Sequence, residues 1–210
     1  MRLVSLFLVM QLTASAVIID RIAVIVGNSI IKDSDIQRDL RVTDLLNNEP
    51  VDLSLAARKK AASRLIDQVF IRREIFVGDY SRATPQEARQ QLDRLQRERF
   101  KTQAAFDQAL KRYGVSQADV TTQFQWQLTV LRFIDARFKP AVLVTDDEIE
   151  KYYLDHRAAL EREYPGKSAD ELRQQVRDII TGEKVNKQFF SWLDDQRNNI
   201  NVAYREGDLQ

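Results

Sequence analysis

Strands are scarce in this sequence, and where they fall constrains the fold more than any other feature. Ile18 to Val26 is a β-branched run in which Ile22, Val24 and Val26 alternate with Ala23 and Ile25. That pattern is a strand pattern. Gly27-Asn28 follows, then Ser29-Ile30-Ile31. Gly at the first of two turn positions suits a tight type II′ hairpin. A two-stranded hairpin alone is only marginally stable in water. A third alternation occurs only at the far end of the chain, where Ile200, Val202 and Tyr204 alternate with Asn201 and Ala203. The two ends are therefore expected to meet in one small antiparallel sheet, with a helical body between them. The fold class is mainly α.

The helical body is punctuated clearly. Asp33-Ser34-Asp35 offers caps for a helix reaching about Asn47, and Pro50 interrupts. A long second helix spans about Ser54 to Val77 and stops near Gly78. Thr84-Pro85-Gln86-Glu87 combines a capping box with Pro at the first helical position, so a third helix starts there. It ends near Phe100. Thr102 to Tyr113 forms a fourth helix, closed by Gly114 in the left-handed position that follows many helices. Ser116 caps a fifth that reaches Phe138, and Pro140 closes it. Thr145-Asp146-Asp147-Glu148 opens a sixth to about His156. Ser168-Ala169-Asp170-Glu171 starts the last, which runs to about Asn198, with Gly182 as a candidate kink. Residues 17–140 thus hold the hairpin and five helices, and residues 141–210 hold the closing helices and the final strand.

The first sixteen residues read as an export signal. Met1-Arg2 is a positive start, Leu3 to Leu12 is apolar apart from Ser5 and Gln11, and Ala14-Ser15-Ala16 fits an Ala-x-Ala cleavage pattern. The apolar run is too short for the ~20 residues of a spanning helix. Cleavage after Ala16 is expected, with no membrane span afterwards. Of 32 basic residues, the loss of Arg2 leaves a number equal to the 31 acidic ones. A neutral chain argues against nucleic-acid binding, which draws its affinity from excess Lys and Arg. The chain has no Cys, so in an oxidising compartment it must be stable by packing alone.

Enzymatic signals are poor. The single His156 sits at an expected exposed helix end. With no Cys and one His, neither a zinc site nor a Cys/His nucleophile is expected. No Gly-rich phosphate loop is present. Asp146, Asp147, Glu148 and Glu150 cluster in a first helical turn, where the helix dipole favours negative charge. The basic stretch Arg94 to Lys101 reads as a solvated helix face. No catalytic residue, metal or cofactor is assigned.

The informative feature is excess apolar surface on the fifth helix. Val120, Phe124, Leu128, Leu131 and Phe138 form one stripe; Trp126, Val130 and Phe133 form another. A surface helix needs only one. The second stripe is shorter and flanked by Gln123, Gln127 and Arg137. Trp126, Val130 and Phe133 are therefore assigned as an exposed peptide-binding stripe, and Phe124, Leu128 and Leu131 as core. The last helix repeats the excess with Phe189, Phe190, Trp192 and Leu193.

Several segments, taken in order, resemble the SurA family of periplasmic chaperones. They are Ile19 to Val26 with the Gly-Asn turn, Ile30-Ile31 and Ser34-Asp35-Ile36; Arg64 to Gln68; Phe106 to Leu110 with Tyr113 to Ser116; Val144 to Ile149 with Tyr152-Tyr153; and the closing helix with Asn201 to Tyr204. The resemblance spans nearly all of the chain after the leader and rests on the ordered set, since no single motif is specific. Two departures stand out. The turn is Gly-Asn where the family more often has Asn before Gly. Only Leu154 to Lys167 separates the last two helices, too little for the parvulin isomerase module of about ninety residues that the family usually carries there, and one His cannot supply a parvulin-like His pair. The resemblance implies a periplasmic, nucleotide-independent chaperone. Its partners would be unfolded outer-membrane or secreted proteins, held in an apolar groove, and it would lack isomerase activity. The rival readings are a prolyl isomerase-family enzyme and a helical adaptor with one fixed partner.

Overall fold

The computed structural model describes residues 20–205 and 207–209. The apolar leader, the cleavage site after Ala16 and the expected strand residues Ile18 and Ile19 lie outside them.

Strand β1 (Ile22–Val26) pairs antiparallel with β2 (Ser29–Lys32) on one side and with β3 (Val202–Tyr204) on the other. The order is β2-β1-β3, so the first strand is central and the two chain ends do close one sheet. Val26 faces Ser29 and Val202, and Val24 faces Ile31 and Tyr204. Gly27 has φ +56°, while Asn28 is not among the positive-φ residues, the φ signs of a type II′ turn. The Gly27 N–H donates to the Asn201 carbonyl at 3.1 Å, and the Arg205 N–H donates to the Ala23 carbonyl at 2.8 Å. The closing strand is thus tied at both ends.

Helices fill the space between. They are α1 (Asp33–Asn47), α2 (Leu55–Val77), α3 (Pro85–Leu95), α4 (Gln103–Tyr113), α5 (Gln117–Arg137), α6 (Asp146–Glu163) and α7 (Ala169–Asn199). Four of them begin in capping boxes at the starts expected from sequence: Thr84 with Glu87, Ser116 with Asp119, Thr145 with Glu148, and Ser168 with Glu171. Each box satisfies two amide donors that helix geometry leaves without partners. Gly114 ends α4 at φ +65°.

The structure differs from the expectation in detail. α3 passes into a π-helical turn at Gln96–Phe100. Arg99, inside the basic stretch, donates to the Leu45 and Leu46 carbonyls at 2.9 and 2.7 Å, so it caps the end of α1. α6 continues past His156 to Glu163, which carries Leu160 into a buried contact with α7. α7 stays helical through Gly182.

Three apolar cores result. The first unites the sheet with the start of α1, α2, the end of α5 and the second half of α7, through Val24, Ile36, Phe70, Phe133, Phe189 and Leu193. The second joins α1, α3, α4 and the start of α5 around Leu45, Leu92, Phe106 and Val120. The third belongs to α6 and the first half of α7, with Ile149, Tyr153, Leu160, Leu172 and Val176. Ion pairs flank this third core: Glu150 with Arg173 at 2.7 Å, Asp146 with Arg177 at 2.9 Å, and Glu148 with Lys184 at 2.6 Å. The acidic cluster of the sequence is therefore both a helix start and a clamp on α7.

Candidate peptide-binding groove

The fifth helix carries the candidate site, but its faces lie differently from the sequence assignment. Phe133 is 0% exposed. Its ring lies 5.2 Å from Tyr80, 5.7 Å from Phe138 and 5.7 Å from Trp192. It is a centre of the main core and cannot meet a ligand. Leu131, assigned to the core, is 60% exposed. Phe124 and Leu128 are half-buried, as are Trp126 and Val130.

The physical reason for the reversal is a polar face that is buried. Thr129 Oγ1 accepts the Ala83 N–H at 3.0 Å and donates to the Gln125 carbonyl at 2.7 Å. Gln125 Nε2 donates to the Ala83 carbonyl at 2.9 Å. Arg132 donates to the Arg82 carbonyl at 3.1 Å and pairs with Glu87. The segment leading into α3 is thus held on α5 by side-chain hydrogen bonds, not by an apolar stripe. Hydrophobic periodicity carries no trace of such a contact, so it misplaces the rotation of the helix.

Trp126 does reach a surface depression, and Phe133 does not. A cavity of about 440 Å³ lies between α2 and α5, lined by Arg72, Ile75, Phe76, Gln125 and Trp126, among others. A second, of about 520 Å³, continues past Thr122 and Arg72 toward Ile30, Val69 and Asp39. A third, of about 530 Å³, runs from Arg72 and Phe76 to the hairpin turn at Gly27 and Asn28. Arg72 lines all three, so the depressions adjoin around its side chain on the outer side of α2 and are described together as a branched groove. Phe76 is 76% exposed and Ile30 is 54% exposed along it. A benzyl side chain so open to water forgoes about 1.5–3 kcal/mol of burial, which a ligand can supply.

Phe76, Arg72 and Ile30 are residues that the sequence reading missed. A signal for Phe76 was present. Ile75-Phe76-Val77 is a run of three apolar residues inside a helix, and successive positions point about 100° apart. Ile75 faces the core, and Phe76 and Val77 are left outside.

Charge is unevenly spread along the groove. The Arg72 guanidinium lies 4.0 Å above the Trp126 ring and donates to Gln68 Oε1 at 3.4 Å. Desolvation, with the neighbouring Arg82 charge second, draws the Arg72 pKa below the usual arginine value. Among the described residues no carboxylate lies within ion-pair distance of Arg72, Arg73 or Arg82. The other end of the groove carries its own carboxylates, three against two arginines. Arg38 sits between Asp35 at 3.3 Å and Asp119 at 3.4 Å, and Arg64 pairs with Asp39. Burial pushes the Asp39 carboxyl upward, against the opposing pull of Arg64.

The arrangement offers non-covalent contact only: exposed Phe76 and Ile30, half-buried Trp126 and a cationic rim, on a lining that mixes polar and apolar side chains. His156 lies away from it, exposed on α6, with Nδ1 2.9 Å from the Tyr152 carbonyl and its ring stacked on Tyr152. Among the described residues no group of three His, Asp or Glu side chains is placed to hold a metal ion, and no helix is long and apolar enough to cross a membrane. No family model matches this chain, and no curated protein matches it.

Proposed function

We propose that this protein is a chaperone of the exported compartment that holds extended segments of unfolded proteins, outer-membrane proteins in particular. The observation that carries the reading is the branched groove over α2, with Phe76 and Ile30 open to solvent and Trp126 in its wall. The sequence resemblance to the SurA chaperones points the same way, since it spans the hairpin, the helical body and the closing strand. The export signal expected at residues 1–16 supplies the compartment. Binding is driven by apolar burial and needs no nucleotide, because each side-chain contact is weak enough to reverse.

The working segment of such a client is extended, so its side chains alternate between groove and solvent. Phe76, Trp126 and Ile30 receive the inward ones. The stripe assigned from sequence is thereby reduced to Trp126, with Val130 behind it and Phe133 in the core.

The test is binding of unfolded outer-membrane β-barrel protein to wild type and to Phe76→Ser. A drop in affinity at unchanged folded stability supports the reading. A single stoichiometric partner captured independently of Phe76 would favour the fixed-partner adaptor instead. Prolyl isomerisation of a model peptide, abolished by His156→Ala, would favour the enzyme.

A further inference from the structure

We propose that the groove selects segments in which an apolar anchor is followed closely by carboxylates. This rests on the peptide-binding reading above and names the chemistry of its ligand. Arg38, Arg64, Arg132, Arg137, Arg173, Arg177 and Arg197 each pair with a carboxylate of the fold. Arg72, Arg73 and Arg82 have no carboxylate partner among the described residues, as is true of other surface arginines such as Arg89 and Arg97, but these three are grouped on the walls of the groove beside Phe76.

Their placement is unfavourable in the free protein. Arg72 and Arg82 repel one another, and Arg72 is partly desolvated as well. The Trp126 face under Arg72 returns a part of that cost as a cation–π contact. It also holds the guanidinium over the groove, where its remaining donors are presented in a fixed plane. A planar, oriented guanidinium is suited to a carboxylate, which it can meet with two parallel hydrogen bonds.

Charge complementarity thus defines the occupant. An aromatic or aliphatic side chain seats beside Phe76 and Trp126, and an Asp or Glu within the next residues meets Arg72, Arg73 or Arg82. The opposite branch sets three carboxylates, Asp35, Asp39 and Asp119, against Arg38 and Arg64, so beyond Arg72 it has no surplus of positive charge to offer a carboxylate. The cationic end is therefore the end that discriminates.

The experiment uses three fluorescein-labelled peptides that share one aromatic core and differ only in flanking residues: Glu, Gln or Lys. Anisotropy titrations with the purified protein at low salt should rank them Glu, Gln, Lys, with roughly a tenfold advantage of Glu over Gln. Salt should collapse the difference as the rim charges are screened. Arg73→Glu with Arg82→Glu, both exposed positions, should reverse the order and favour the Lys peptide, with far-UV circular dichroism unchanged. Equal affinity for all three peptides would overturn the charge inference while leaving the groove reading intact. Failure of every peptide to bind would sink both. Binding of anionic phospholipid vesicles in place of the peptides, lost in the same double variant, would assign the arginines to a membrane surface and overturn the proposal.

Discussion

Single side chains already separate the groove from the core. Phe133→Ala should cost about 3–5 kcal/mol, because it empties the site where Tyr80, Phe138 and Trp192 converge. Leu131→Ala, at an exposed position, should stay within about 0.5 kcal/mol of wild type. Urea denaturation midpoints at constant slope measure both. The reverse ranking would restore the rotation of α5 that its apolar stripes suggest. Glu87 tests the polar side of the same helix. Hydrogen bonds from the Thr84 amide, then from Arg132 and the Thr84 hydroxyl, lower its pKa from 4.5 to about 2. The folded value is depressed, so the stabilisation is complete above about 4.5 and is lost as pH falls through about 2. Melting temperatures of wild type and Glu87→Gln should therefore differ most near neutral pH and converge on acidification. A constant gap would mean that the carboxylate is not engaged in the folded state. These residues also mark the limit of what the sequence discloses. Trp126, expected to be exposed because Gln123 and Gln127 flank it, is half-buried against the main core and reaches the groove wall. The burial of Phe133 is not legible in sequence, because it depends on α7 and on Tyr80, which are remote along the chain. Phe76 lay hidden inside an apolar run.

Elements were far more legible than faces. Helix starts could be read because capping boxes are local: Thr84 and Glu87 carry their own hydrogen-bond geometry within four residues. The sheet could be inferred because a lone hairpin needs a third strand and only one segment qualifies. The extension of α6 to Glu163 is not legible in the local sequence, because it depends on Leu160 packing in the core shared with α7. The closing strand makes the clearest prediction at this scale. Truncation after Asn199 removes β3, the hydrogen bond from Gly27 to Asn201 and the bond from Arg205 to Ala23. β1, now central, would become an open edge. The truncated chain should melt at a lower temperature and aggregate on heating; an unchanged transition by circular dichroism would show that the closure contributes nothing. A second element-level expectation concerns α6 and the first half of α7, which bury their own core. Amide hydrogen exchange should give Ile149, Tyr153 and Val176 lower opening free energies than Phe70 and Phe133, as befits a two-helix unit with fewer neighbours. Equal protection throughout would make the molecule one cooperative unit.

Over the whole molecule, a packed core lies directly beneath the groove. The sheet and α2 share the first core, so the inner face of α2 is locked by Phe70, Ile71 and Ile75 while its outer face carries Arg72, Arg73 and Phe76. A pre-formed surface of this kind loses little ordering entropy on binding, which lets weak and varied segments be held. Capture of unfolded chains is the role proposed for this face. The most direct measurement is aggregation of an urea-diluted outer-membrane β-barrel protein, followed by light scattering, with wild type and with Phe76→Ser at matched concentrations. Wild type should suppress scattering at near-stoichiometric ratios, and Phe76→Ser, with its melting temperature unchanged, should require several-fold more protein for the same effect. Equal suppression by the two, or none by wild type, would contradict that role.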